Sequence, residues 1–277
     1  HGGNPANIAS IKKITKKYNL CLVEDAAHAA GAEFMGEKIG ANSDLACFSF
    51  SSLKNISTLG EGGMIVTNNK KYAELARGFR SNFPSGYKVK RKANVLGKYP
   101  KNDNPYLNMG DSWDYDWKKL DEIGSTFRLS SAQAAVGRIQ LKKLDSLILK
   151  RAKIAKLYNK TIEEIEGLKS IEILPSSKPA WHLFSFFVTE SSKIDRNKLF
   201  ERLKNKYKID IVIRFFPINL NGILRMNGCR QGGCKHCGDL KNIEHIWFNQ
   251  QMSLPISPQL NNEQIEYVNN SILKSMS

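Results

Sequence analysis

Apolar and polar positions change their period several times along this chain. Ile8, Ile11, Ile14 and Tyr18 recur at helical spacing, with Asn4 and Pro5 marking the helix start. Leu20-Cys21-Leu22-Val23 then reads as a short strand that stops at Glu24 and Asp25 and gives way to the small residues around His28. Ala32 to Gly40 predicts a hairpin, Leu45 to Phe50 a strand, and Met64 to Thr67 another. A helix from about Lys70 to Arg80 leads into an irregular stretch, 81–123, holding Pro84, Pro100, Pro105 and the run Trp113-Asp114-Tyr115-Asp116-Trp117. Loops of that length are usually functional or mobile.

The second half opens on helical spacing again. Ala132, Ala135, Val136, Ile139, Gln140, Lys143, Leu144 and Leu147 form a long amphipathic helix, and a second one rich in Lys and Ala follows to about Glu166. A domain boundary near Lys150 divides the chain into 1–150 and 151–277. Beyond Gly167 the spacing predicts a strand over Leu183 to Val188, a helix over Asp195 to Tyr207, a strand over Ile209 to Ile213, and a last helix over Asn261 to Leu273 with Ile265, Val268 and Ile272 in the core. The second unit is therefore a small α+β domain.

With 277 residues, 41% of them apolar and 25% charged, the chain has room for two domains and the composition of a soluble globular protein. No apolar run approaches membrane-spanning length and no signal pattern opens the chain, so the expected location is cytoplasmic. Forty-two basic residues against 26 acidic ones leave a formal charge of +16. Such a surplus suits an anionic partner. The lysines are dispersed, however, with one dense run at Lys88, Lys90, Arg91 and Lys92, and there is neither an RNA-binding aromatic motif nor a helix-turn-helix. Nucleic acid is therefore not the expected partner, and an acidic surface or an anionic metabolite would also suit this charge. The five cysteines do not form a secreted disulfide framework. Cys21 and Cys47 read as core. Cys229, Cys234 and Cys237 with His245 have the ligand types of a structural zinc site, but reduced thiols are the plainer reading and no metal is expected; metal-dependent catalysis is expected still less.

Two side chains carry the candidate chemistry. Asp25 stands at the carboxyl end of a strand, where α/β sheets bind ligands. Lys54 stands in a polar loop, Ser49-Phe50-Ser51-Ser52-Leu53-Lys54-Asn55-Ile56-Ser57-Thr58-Leu59-Gly60-Glu61-Gly62-Gly63, that follows another strand. A lysine whose amine loses its proton can form a Schiff base, and pyridoxal phosphate needs such a lysine together with an acid for its ring nitrogen. Taken singly, each has a plainer reading: Asp25 as a turn or helix cap, Lys54 as solvated surface. The glycines after the lysine have neither dinucleotide nor Walker spacing.

Val-Glu-Asp-Ala-Ala-His-Ala-Ala-Gly at 23–31, followed by the stretch from Phe48 to Asn68, closely resembles the DegT/DnrJ/StrS sugar aminotransferases, pyridoxal phosphate enzymes of the aspartate aminotransferase fold. Gly124 to Ser130 with the Ala-rich helix after it, and Trp247 to Ile256, agree as well. Four ordered motifs over nearly the whole chain make the resemblance specific. It implies an α/β chain of the type I fold, with a partial large domain on a mixed, mostly parallel sheet and a small C-terminal α+β domain. Relatives begin earlier, so an N-terminal portion of the large domain is expected to be absent here, leaving a sheet edge and an apolar face exposed.

The resemblance makes Lys54 the Schiff-base lysine and proton shuttle, and Asp25 the partner of the pyridine nitrogen. His28 corresponds to the residue at the ring hydroxyl and Ser49 to a phosphate ligand. Thr126 occupies a position where an asparagine usually reaches the neighbouring subunit's cofactor phosphate, and Arg128 is read as structural. Arg214-Phe215-Phe216-Pro217-Ile218-Asn219 matches a segment that ends in histidine, replaced here by Asn219, with substrate contact possible there. The implied activity is transfer of an amino group from an amino acid, glutamate by likeness, to the ketone of a nucleotide-linked sugar, in a homodimer. A catalytically incomplete binding homologue is the alternative. Sugar dehydratases of the family carry histidine in place of the lysine, so Lys54 argues against that chemistry.

Overall fold

The computed structural model describes residues 1–80, 124–221 and 240–277. The basic run at 88–92, the aromatic run at 113–117 and the three clustered cysteines lie outside these residues.

The first unit begins with α1 (Ile8–Lys17), capped by Asn7, whose side chain accepts the Ser10 amide. The helix therefore starts later than Asn4 and Pro5 suggest. Of its predicted apolar face only Ile8 is buried, while Ile14 and Tyr18 stay exposed. Strand β1 (Val23–Asp25) pairs in parallel with β4 (Leu45–Ser49), and β4 pairs antiparallel with β5 (Gly63–Val66). Among the described residues this sheet thus has one parallel and one antiparallel ladder, in the order β1-β4-β5. Between β1 and β4 lies the predicted hairpin, β2 (Glu33–Phe34) and β3 (Glu37–Lys38). Met35 and Gly36 turn it with φ of +53° and +82°, the two successive left-handed residues of a tight two-residue hairpin loop. Helix α2 (Lys70–Phe79) follows, capped by Asn69.

One 33-residue helix, α3 (Ser131–Glu163), replaces the two helices expected from the sequence. Ser130 and Gln133 close its start reciprocally, each side chain bonding the other's backbone amide. No proline or glycine interrupts it near Lys150, so it runs on from one hydrophobic cluster to the next. Leu144 and Ile148 pack with Ala30, Ile56, Phe48 and Phe50. Ile154, Ala155, Tyr158 and Ile162 belong to a larger core with Phe184, Phe186, Leu199, Met252 and Ile272.

That larger core is built on an antiparallel sheet, β6 (Leu168–Ser170), β8 (Phe184–Val188) and β9 (Gln251–Leu254), in the order β6-β8-β9. Helix α4 (Arg196–Glu201), capped by Asp195 and continued by a wider turn to Lys206, and helix α6 (Asn262–Met276) pack around it; α5 (Lys241–His245) leads into β9. Ile209 to Ile213 does not form the expected strand; within that segment Val212 alone bridges, antiparallel, to Ser253. Strand β7 (Ser177–Lys178) leaves this unit and pairs with β2 of the hairpin. Its Lys178 joins Lys38 on Glu33, and the two ammonium groups hold that carboxyl below its usual range.

Two sequence readings need correcting. Cys21 precedes β1 and is exposed, and Cys47 is only half-buried, so neither is a core residue. Their sheet face is open: Val23 and Ile65 are 57% and 51% exposed. Among the described residues no helix is long and apolar enough to cross a membrane.

Candidate active site

The parallel register of β1 and β4 places Asp25 opposite Cys47. Side chains alternate along a strand, so Ser49, two residues beyond Cys47, faces the same side as Asp25. Both strands run out at the same edge of the sheet, and the chain leaving β4 turns at once into the lysine loop. There the Lys54 amide donates to the Ser51 carbonyl (3.0 Å) and the Thr58 amide to the Phe50 carbonyl (3.1 Å). Asn55 and Ile56 are buried beneath this loop, anchoring it from below and leaving Lys54 half-buried. Gly62 closes the loop against Thr58: a Cβ there would sit 2.1 Å from the Thr58 hydroxyl oxygen. The glycine is thus required by close packing of the loop on itself.

Asp25 is near enough to Lys54 to act on its charge. Burial lowers the Lys54 pKa; Asp25, the next largest influence, opposes that shift, and Arg214 reinforces it. The amine is therefore more readily deprotonated than an ordinary lysine. Asp25 Oδ1 accepts the Ala27 amide at 3.0 Å, a bond that orients the carboxylate at the end of the strand. His28 lies one turn further on. Burial, then the Lys54 cation, push its imidazole down to about 4. Its Nδ1 accepts the Gly2 amide at 3.2 Å, which in the neutral ring leaves the proton on Nε2.

The second unit contributes a wall that the sequence did not announce. His182, just before β8, lies 4.3 Å from His28 between ring centroids; burial and then His28 itself depress its pKa to about 3. Phe215 packs on His28 at 5.8 Å, and the Arg214 guanidinium lies 5.9 Å from the Phe215 centroid. Residues 180–183 are tied down on two sides: Asn55 Nδ2 donates to the Ala180 carbonyl (2.8 Å), while the Ala180 and Leu183 amides donate to the Gly3 and Gly2 carbonyls. Arg151 fastens the same segment from behind through the Trp181 and Ile256 carbonyls.

Asp25, His28, Ser49 and Lys54 are therefore gathered on one side of one sheet. Thr126 is exposed on the segment before α3, whose Ser125 and Phe127 amides bond the carbonyls of Phe79 and Arg80 at the end of α2. His245, the fourth zinc candidate, makes contacts with Asn249 and Gln250; among the described residues no cluster could hold a metal ion. His182 is a neighbour of the site that the sequence reading does not name, and Arg214 enters that reading only as part of the segment to Asn219 where substrate contact is possible. The signal for Arg214 was the one that revealed Asp25, a charge at the end of a β-rich run. For His182 there was only an imidazole inside an apolar segment.

The donor set suits pyridoxal phosphate: a lysine with a lowered pKa, a carboxylate, a neutral imidazole with a free N–H, and a hydroxyl on one face. Two buried polar atoms beside it, Asn55 Oδ1 and His182 Nδ1, have no hydrogen-bond partner among the described residues.

Comparison with known proteins gives the same direction. The sequence profile of the DegT/DnrJ/EryC1/StrS aminotransferase family matches residues 1–273. The chain is 36% identical over its full length to uncharacterized protein MJ1066 of Methanocaldococcus jannaschii, of which it spans 65%. It is 29% identical to the UDP-4-amino-4,6-dideoxy-N-acetyl-beta-L-altrosamine transaminase of Campylobacter jejuni, with 98% of this chain matched to 62% of that protein. The fold superposes on DesV of S. venezuelae, solved in complex with a ketimine intermediate, with a TM-score of 0.77 at 27% identity, covering 100% of this chain and 63% of that one. Helicobacter pylori PseC, an aminotransferase involved in the biosynthesis of pseudoaminic acid, gives 0.77 at 25% identity, covering 100% and 65%. The chain thus spans less than two thirds of the length of each of these relatives. It belongs to the DegT/DnrJ/EryC1/StrS aminotransferase family.

Proposed function

We propose that this chain carries the lysine-bearing part of a pyridoxal phosphate-dependent aminotransferase that moves an amino group from an amino acid, glutamate, to the keto group of a nucleotide-linked sugar. The observation that carries this reading is the placement of Asp25 and of the loop bearing Lys54 at the same edge of two adjacent parallel strands, with the Asp25 charge acting on Lys54. The sugar-nucleotide transaminases among its relatives support the substrate class, as does the chain's positive charge.

In this reading Lys54 holds the cofactor's aldehyde carbon, Asp25 its pyridine nitrogen, His28 its ring hydroxyl and Ser49 its phosphate. Thr126 reaches the phosphate of a neighbouring subunit in a homodimer. When bound, the cofactor draws electrons from the substrate carbon and carries the amino group between the two substrates. The protein's part is acid–base chemistry and orientation. Displaced from the cofactor's aldehyde carbon by the donor's amine, Lys54 Nζ would take the proton from the donor's α-carbon and hold it for return; its lowered pKa keeps a larger share of the amine free for that work. The Asp25 carboxylate favours a protonated ring nitrogen. His28, held as the Nε2–H tautomer by Gly2, donates a hydrogen bond to the ring oxygen.

The division into a large unit, 1–150, and a small one, 151–277, is supported by the two hydrophobic clusters that meet along α3. A cytoplasmic location fits the family's substrates. Thr126 and Asn219, which depart from the family's usual residues, favour a second reading in which the chain binds substrate without turning it over. Stopped-flow absorbance of the cofactor-loaded protein separates the two: glutamate converts the cofactor spectrum in the enzyme and leaves it unchanged in a binding homologue.

A further inference from the structure

We propose that the cleft between α1 and the 33–38 hairpin binds a small organic cation, a primary ammonium on a short aliphatic stem, with Glu24 as its counter-ion. The proposal does not rest on the aminotransferase reading. Side chains alternate along β1, so Glu24 points to the opposite face of the sheet from its neighbours Val23 and Asp25. Both neighbours are exposed, whereas Glu24 is only 7% exposed. The cleft is therefore a second site, across the sheet from the one that holds Asp25.

Glu24 lines a cleft of about 210 Å³ whose apolar wall is made by Ile8 and Ala9 of α1 and by Phe34, Met35 and Ile39 of the hairpin and its exit. Ile8 is buried, while Lys12, Glu37 and Asn42 form an exposed polar rim. Gly40 brings the chain leaving the hairpin down onto the sheet. Its φ is +92°, and a Cβ there would lie 2.9 Å from the Cβ of Ala46, the residue that pairs with Glu24 on β4.

The carboxylate at the base of this cleft lacks a counter-charge. Glu24 Oε1 is buried without a hydrogen-bond partner, and among the described residues Glu24 forms no ion pair. A carboxylate taken that far from water is costly unless a donor faces it, and a cation offsets the cost best. The two lysines lining the cleft do not serve. Lys38 is held by Glu33 and Asp145, and Lys12 is exposed and makes no ion pair among the described residues.

The lining selects the kind of cation. A hard metal ion needs several oxygen ligands, and among the described residues no cluster could hold one. An aliphatic ammonium instead sets its charge on Glu24 and its stem against the apolar wall. The cleft is smaller than a site for a drug-sized ligand, which limits the stem to a few carbons. With a formal charge of +16 the chain as a whole repels cations, so affinity for one has to arise locally.

The test uses the whole chain after borohydride treatment, which removes any bound aldehyde that an amine would attack. The probe is n-butylammonium, titrated by ligand-detected NMR, with 1-butanol and butyrate as its neutral and anionic counterparts. Two variants accompany the parent: E24Q keeps the shape of the side chain and removes its charge, and A9L fills the cleft from α1 and leaves Glu24 intact. The parent is expected to bind n-butylammonium saturably and in preference to both counterparts. E24Q should weaken that binding by about 10- to 100-fold, the range for a lost charged hydrogen-bonding partner, and A9L should lose most of it. Absence of saturable binding, equal affinity for 1-butanol, or undiminished affinity in either folded variant overturns the proposal. If E24Q does not fold, A9L decides alone: retained binding refutes the site and lost binding supports it.

Discussion

His182 lies against His28 with ring centroids 4.3 Å apart, although the two belong to different units of the chain. Neither imidazole is charged near neutrality, since their pKa values are lowered to about 3 and about 4. Their contact couples the Asp25-bearing edge of the first sheet to the start of β8. It also gives the fold a dependence on pH.

In the unfolded chain both rings titrate near 6.5, so on acidification the unfolded state binds protons that the folded state refuses. The stability involved is complete above about pH 6.5 and is lost as pH falls toward the folded values near 4 and 3. Urea midpoints measured at several pH values across that window should fall with pH in the parent and fall less steeply in H182Q. Parallel slopes in the two proteins would contradict the assignment.

Arg214 and Asp25 act on Lys54 with opposite signs. R214Q should raise the Lys54 pKa and D25N should lower it. Competitive labelling of Lys54 with an acylating reagent over a pH series measures both shifts. Shifts of the same sign in the two variants would mean that the charges are not arranged as described.

Asn55 is the direct tie between the lysine loop and the segment at 180–183. N55A removes the 2.8 Å bond to the Ala180 carbonyl and leaves that acceptor unpaired, a loss of about 1–3 kcal/mol in denaturant unfolding. Transamination should fall as well, because the wall bearing His182 loosens. A variant as stable as the parent would show that the bond does not tie the two.

The larger core gives a stability prediction independent of the chemistry. Phe184 is fully buried beside Tyr158 and Trp181. F184A should cost about 3–5 kcal/mol, read from urea unfolding.

Much of this arrangement was legible in the sequence. Asp25 and Lys54 stand out because each follows a β-rich run, and their neighbours supply family motifs over nearly the whole chain. The hairpin at 33–38 was legible through Met35-Gly36, and α6 through Asn261 and its apolar spacing. Other features depend on contacts far apart in sequence. The continuity of α3 through Lys150 follows from two cores that accept successive turns of one helix, which local composition does not reveal. The exposure of Cys21 depends on where β1 begins. His182 becomes a site residue only because Gly2, Gly3 and Asn55 bind its backbone segment from elsewhere in the chain.

The central claim is that the Lys54 amine holds pyridoxal phosphate. Loading the protein with the cofactor, reducing it with borohydride, digesting it and locating the pyridoxyl group by mass spectrometry tests this directly. The account predicts a single adduct on Lys54, absent from K54R. An adduct spread over surface lysines, or one retained in K54R at another site, would contradict it.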